Sequence, residues 1–90
     1  MMYPFLQLDD GTEIVHSERL PDDSVKVYIE KPDEKDGFHN AVCFLPGYRW
    51  ESVSGFSPEE IAVYQELLES TAHLIIEFSA DGGVEHASGF

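Results

Sequence analysis

The stretch GFSPEEI, Gly55 to Ile61, divides this chain into two kinds of pattern and so limits the folds open to it. Ser57 is a good N-cap, Pro58 suits the first helical position because an amide there has no helical partner, and Glu60 closes a capping box with the serine. Phe56 before the cap and Ile61 beyond it are placed to staple the first turn with apolar contact. Residues before this point alternate with period two, and residues after it have a helical period. Strands first and helix last predict an α+β fold and argue against alternating βαβ units.

The clearest strand is SVKVYIEK, where Val25, Val27 and Ile29 share one face and Lys26, Tyr28 and Glu30 the other, the pattern of a sheet with one wet side. TEIVHSERL reads as its partner, with Ile14 and His16 on one face and the turn-forming PDDS between the two. A short apolar YPFLQL precedes the turn signal Asp9 to Gly11. The polar KPDEKDG, Lys31 to Gly37, reads as a hairpin loop leading into FHNAVCFL, which is apolar on both faces and suits a central position. PGY then supplies a tight turn before a last strand, RWESV. The expected sheet is an antiparallel meander of four or five strands.

Beyond the cap, Ile61, Tyr64 and Leu68, flanked by Leu67, form an apolar face, while Glu59, Glu66 and Glu69 stay wet. Adjacent Ser70 and Thr71 are mediocre helix formers and good caps, so the reading favours a break there and a second short helix from Ala72. The alternative is one long helix to Ala80, ending at the glycines of SADGG. Either a helical hairpin or a single long helix would then cover one face of the sheet. In both versions Leu74, Ile75 and Phe78 are expected to be buried.

Ninety residues make one domain, 1–90, with a modest core, at a size where roughly 60 to 65% of the unfolded chain's surface is buried. Charge is distributed unevenly along it. Residues 1 to 49 carry ten acids and five bases, whereas residues 50 to 90 carry eight acids and no base, for a net charge of −13. Nucleic acid and anionic membrane both need Lys and Arg, so direct binding to either is not expected. What remains is a basic protein partner, a metal cation, or solubility alone. A single cysteine, Cys43, excludes an internal disulfide and fits a reducing cytoplasm. The start MMYPFLQLDDGTE lacks the basic and long apolar regions of a signal peptide, and no apolar run approaches the roughly 18 residues of a membrane span.

Glu69, His73 and Glu77 fall four residues apart and would share one face of an unbroken helix. Their ends lie about 12 Å apart at 1.5 Å per residue, so one ion cannot reach both, and the spacing matches neither HExxH nor ExxH. No metal, cofactor or catalytic residue is assigned. His16 is expected to be hydrogen-bonded and partly buried, His39 to stand alone at a strand start, and Cys43 to be an unreactive core thiol. Tyr48, Arg49 and Trp50, with Phe56 nearby, have the composition of an interface patch, packing of Trp50 under the helix being the competing explanation.

The segments YPFLQLDDGTEIVHSE, VYIEKP, LPGYRW, GFSPEEI and AHLII, which together span most of the chain, resemble a small uncharacterised family of acidic proteins from anaerobic Firmicutes. That resemblance implies a bacterial, cytoplasmic protein and transfers no site, since the family has no assigned activity. The reading is therefore a small, non-catalytic binding or regulatory module that engages a basic protein. Its expected surface comprises Tyr48, Arg49, Trp50, Glu59, Glu66, Glu69, His73 and Glu77; one version is a nucleic-acid mimic. The alternatives are a structural homo-oligomer and a small metal-dependent enzyme using His73 with carboxylates.

Overall fold

A computed structural model of the chain describes residues 2–81. Five strands come first, β1 (Met2–Gln7), β2 (Glu13–Ser17), β3 (Val25–Asp33), β4 (Gly37–Leu45) and β5 (Arg49–Ser54), followed by one helix, α1 (Pro58–Asp81). The strands form one sheet in the order β1-β2-β3-β4-β5, every neighbouring pair antiparallel. This is the α+β meander that the period-two segments predict, with five strands.

The first two turns use the same chemistry. In each, a leucine amide donates to a carbonyl four residues on, Leu8 to Thr12 and Leu20 to Ser24, both at 2.8 Å. An aspartate oxygen then accepts both the amide and the hydroxyl two residues later, Asp10 from Thr12 and Asp22 from Ser24, at 3.0 and 2.6 Å in both turns. The residue between them takes positive φ, 89° at Gly11 and 67° at Asp23. These are Asx turns, in which the carboxylate replaces a backbone acceptor. The third hairpin is tighter than expected. Lys31, Pro32 and Asp33 continue β3 and pair with His39, Phe38 and Gly37, because two long strands carry the ladder further than polarity alone suggests.

One face of the sheet is buried against α1. Ile14, Val25, Val27, Ile29, Ala41, Cys43 and Leu45 lie there at 1% exposure or less, and from the helix Tyr64, Leu68, Ala72 and Ile75 complete the core. The helix does not break. Ser70 and Thr71 both turn their hydroxyls back to the Leu67 carbonyl, at 2.7 and 3.0 Å, so neither needs to leave the helix to find a partner. Leu68 and Ala72 on either side are buried, and their packing holds the backbone in register through that point. Tertiary contact has overridden weak local propensity. Leu74 also departs from expectation, since at 37% it is exposed, whereas Ile75 is buried and Phe78 packs against Phe5. The expected glycine cap at residues 82 and 83 and the tail to Phe90 lie outside the described residues.

The helix start has the expected geometry. Ser57 N–H donates to Glu60 Oε1 at 2.9 Å and Glu60 N–H to Ser57 Oγ at 3.1 Å. Lys31 then ties this start to the first turn, lying 3.8 Å from Glu60 and 3.6 Å from Asp10. The Ser57 amide, chiefly, and Lys31 hold the Glu60 carboxyl below its ordinary range. Stabilisation from a lowered acid is present above its unfolded pKa and is lost as pH falls through the folded one. Glu60→Gln keeps the capping acceptor and removes the charge. The variant should have a lower urea midpoint than the wild type at about pH 7, with the difference narrowing as pH is lowered to about pH 3. An equal gap at both pH values would show that the charge contributes nothing.

Candidate functional site

Because α1 is continuous, its outer face is a single surface. Glu59, Glu66, Glu69, His73 and Glu77 are all exposed along it, and the helix contains no Lys or Arg. The Glu69, His73 and Glu77 line therefore exists as a solvated stripe. Its ends remain about 12 Å apart by helical rise, beyond the reach of one ion.

Trp50 joins this face through a residue that sequence reasoning did not single out. Its indole Nε1–H donates to Gln65 Oε1 at 3.0 Å, and Gln65 Nε2 donates to Glu69 Oε2 at 3.3 Å. A shallow hollow lined by Ala62, Gln65, Glu66 and Glu69 sits over this chain of bonds. Gln65 precedes Glu69 by one helical turn, a spacing visible in the sequence, but nothing local places Trp50 beneath it.

The other members of the expected patch go elsewhere. Trp50 pairs with Cys43 and faces the helix, so Arg49, its neighbour in the strand, projects from the opposite side of the sheet. There its guanidinium lies 4.7 Å from the centre of the Phe44 ring and donates to Glu51 at 2.7 Å. Tyr48 is half-buried against the core, and Phe56 is buried, packing edge-on to Tyr64 at 5.1 Å. The aromatic residues thus divide between core and helix edge and do not make one exposed patch.

Three side chains converge at the third hairpin. Donor atoms of Asp33, Asp36 and His39 lie within 4.8 Å of one another. His39 Nε2 is 3.0 Å from Asp36 and 3.7 Å from Asp33. Asp33 also accepts the amides of Lys35 and Asp36 through its other oxygen, and chiefly the latter bond holds its carboxyl low. The imidazole is fixed from behind by Phe56, whose ring meets it edge-on at 5.7 Å, and by Gly55, whose bare Cα leaves room for it. His39 is therefore not isolated. The three groups offer the donor types a hard cation takes, yet they already bond one another and close the hairpin. The i, i+3, i+6 spacing was legible, but the strand register that folds it together was not.

Two further titratable residues, Cys43 and His16, lie in the core. Cys43 is fully buried and burial pushes its thiol up to about 11, which leaves no thiolate for nucleophilic work. His16 is fully buried, more deeply than expected, between Tyr3 and Phe5. Its Nδ1 lies 2.9 Å from the Ser17 carbonyl, which makes Nδ1 the protonated nitrogen, and its Nε2 is enclosed without a partner. No helix among the described residues is long and apolar enough to cross a membrane. Comparison with known proteins leaves the geometry to speak for itself: no family model, no curated protein and no solved structure matches this chain.

Proposed function

We propose that this chain is a non-catalytic binding module that presents the outer face of α1 to a basic protein. One observation carries the reading: an unbroken helix shows Glu59, Glu66, Glu69 and Glu77 to solvent, in a chain with no base after Arg49. Such a one-signed surface speeds encounter with an oppositely charged partner and disfavours nucleic acid. The Trp50–Gln65–Glu69 chain gives the face a polar anchor held from beneath, which suits specific docking better than charge alone. A bacterial cytoplasm, where a lone thiol such as Cys43 stays reduced, fits this role.

The test is capture from native lysate on immobilised full-length protein, at low and high salt, with identification by mass spectrometry. A basic protein should be retained at low salt and released as the screening length falls from about 30 Å to about 8 Å. Replacing Glu66, Glu69 and Glu77 together by Gln should weaken that binding roughly 3- to 150-fold, from about 0.2 to 1 kcal/mol per exposed charge pair. An empty bait at low salt, or capture indifferent to both salt and the triple substitution, would end the reading.

A further inference from the structure

Among the described residues nothing packs on the sheet face turned away from α1, and an apolar strip runs through its charged and polar side chains. Along the middle row, Val15 lies opposite Tyr28 and Tyr28 opposite Val42, all on that outer side. A sheet with one wet face ordinarily places polar residues there. Phe44 and the 55%-exposed Phe38 extend the apolar surface along β4.

The charges around this row are arranged in a self-complementary way. On β3, Lys26 and Glu30 lie two residues to either side of Tyr28 and project from the same face. Among the described residues neither has an ion-pair partner within the molecule, and Glu30 accepts only the Tyr28 hydroxyl, at 2.9 Å. Glu13 faces Glu30 across β2, and Arg49 lies beyond Lys26 and Phe44 across β4. One end of the face is thus acidic and the other basic, with Val15, Tyr28 and Val42 between them; Glu51 continues this row on β5, opposite Val42, and its charge is met by Arg49 within the same copy.

We infer that this face is the interface of a homodimer, in which two copies stack sheet on sheet about a two-fold axis running across the strands through Tyr28. That axis lays the apolar row of one copy on that of the other and reverses the strand direction, so each Lys26 meets the Glu30 of the second copy. The resulting interface is isologous, with each contact made twice. Aligned sheets packed about 10 Å apart supply the geometry. Five strands at about 4.8 Å spacing and three rows give a footprint of roughly 25 by 20 Å, about 500 Å² per copy, at the small end of biological interfaces.

Two further features favour a second copy over other arrangements. Both sheet edges are protected against strand addition: β1 carries Pro4 and a bulge between Pro4 and Leu6, and β5 a bulge at Ser52, where φ is 56°. Association by extending the sheet is therefore disfavoured. In a chain of net charge −13, moreover, this face holds Lys26 and Arg49, two of only five bases. Stacking here keeps the two acidic helices on opposite outer sides, separated by more than the about 8 Å over which charge acts at physiological salt. The inference rests on the sheet face and stands whether or not the helix binds a basic protein.

Sedimentation velocity on the full chain at tens of micromolar tests it. The wild type should run as a compact particle of twice the 10.1 kDa chain mass. Val42→Lys should give a folded monomer with an unchanged far-UV spectrum. Lys26→Glu and Glu30→Lys, each alone, should weaken dimerisation at least about tenfold by setting like charges together twice. The double variant, which exchanges the two charges, should restore it. A monomeric wild type would overturn the inference. So would a dimer indifferent to all three single substitutions, or single charge variants that the double swap fails to rescue.

Discussion

Leu68→Ala is expected to cost about 2 to 5 kcal/mol, roughly a third of what holds a domain together. Leu68 is fully buried near the centre of α1, where the helix lies on the sheet. Truncation removes the transfer energy of the leucine side chain and leaves a cavity, which β-strands locked in a five-stranded ladder cannot close. At roughly 4 to 8 °C per kcal/mol for a domain of this length, the melting temperature should fall by about 8 to 40 °C. Val63→Ala is the internal control. Val63 lies on the outer face at 63% exposure, and its truncation should change stability by no more than about 0.5 kcal/mol. Urea denaturation of both variants, read as a shift in midpoint at constant slope, makes the comparison. Equal and small effects would mean that the helix does not depend on this seam.

Gly55→Ala should be the most damaging change of a single methyl. Gly55 sits between the end of β5 and the cap of α1 at a φ of 88°, where an L side chain is strained by about 1 to 2 kcal/mol. The added Cβ would also overlap the His39 ring, reaching Cδ2 and coming within 2.6 Å of Cγ. That ring cannot simply turn away, because Phe56 packs on it and Asp36 holds its Nε2. Overpacking adds about 1 to 3 kcal/mol to the backbone cost. The two causes separate in a double-mutant cycle. In a His39→Ala background the steric part should vanish while the backbone part remains, giving a coupling of about 1 to 3 kcal/mol. Strict additivity would show that the glycine is needed for its φ alone.

Particular elements mark how far the residues could be read in advance. The capping box at Ser57 and Glu60 was legible because every group in it lies within four positions and its geometry is local. The alternation of Val25, Val27 and Ile29 was equally plain, and it placed Ile14 and His16 on the same inner face. Ser70 and Thr71 misled for a physical reason: their propensity is weak, and a weak preference yields to the burial of Leu68 and Ala72 on the same turn. The third hairpin loop is shorter than its polarity predicts because polarity reports exposure, and Lys31 and Pro32 remain in the ladder at the sheet's end.

The candidate surfaces divide along the same line. The acidic helix face followed from composition and period once the helix proved continuous. The Trp50 to Gln65 bond joins residues fifteen positions apart, and the Asp33, Asp36 and His39 cluster needs the register of β3 on β4. Period and capping are short-range quantities, so residues alone determined the order of strands and helix, the start of α1 and the sign of its surface. That Lys26, Tyr28 and Glu30 share the open face followed from the alternation of β3, whereas which residues of β2, β4 and β5 lie beside them there depends on pairings between distant residues. Those pairings are decided only when the whole core is buried at once, because no single contact among them is strong enough to specify the arrangement by itself.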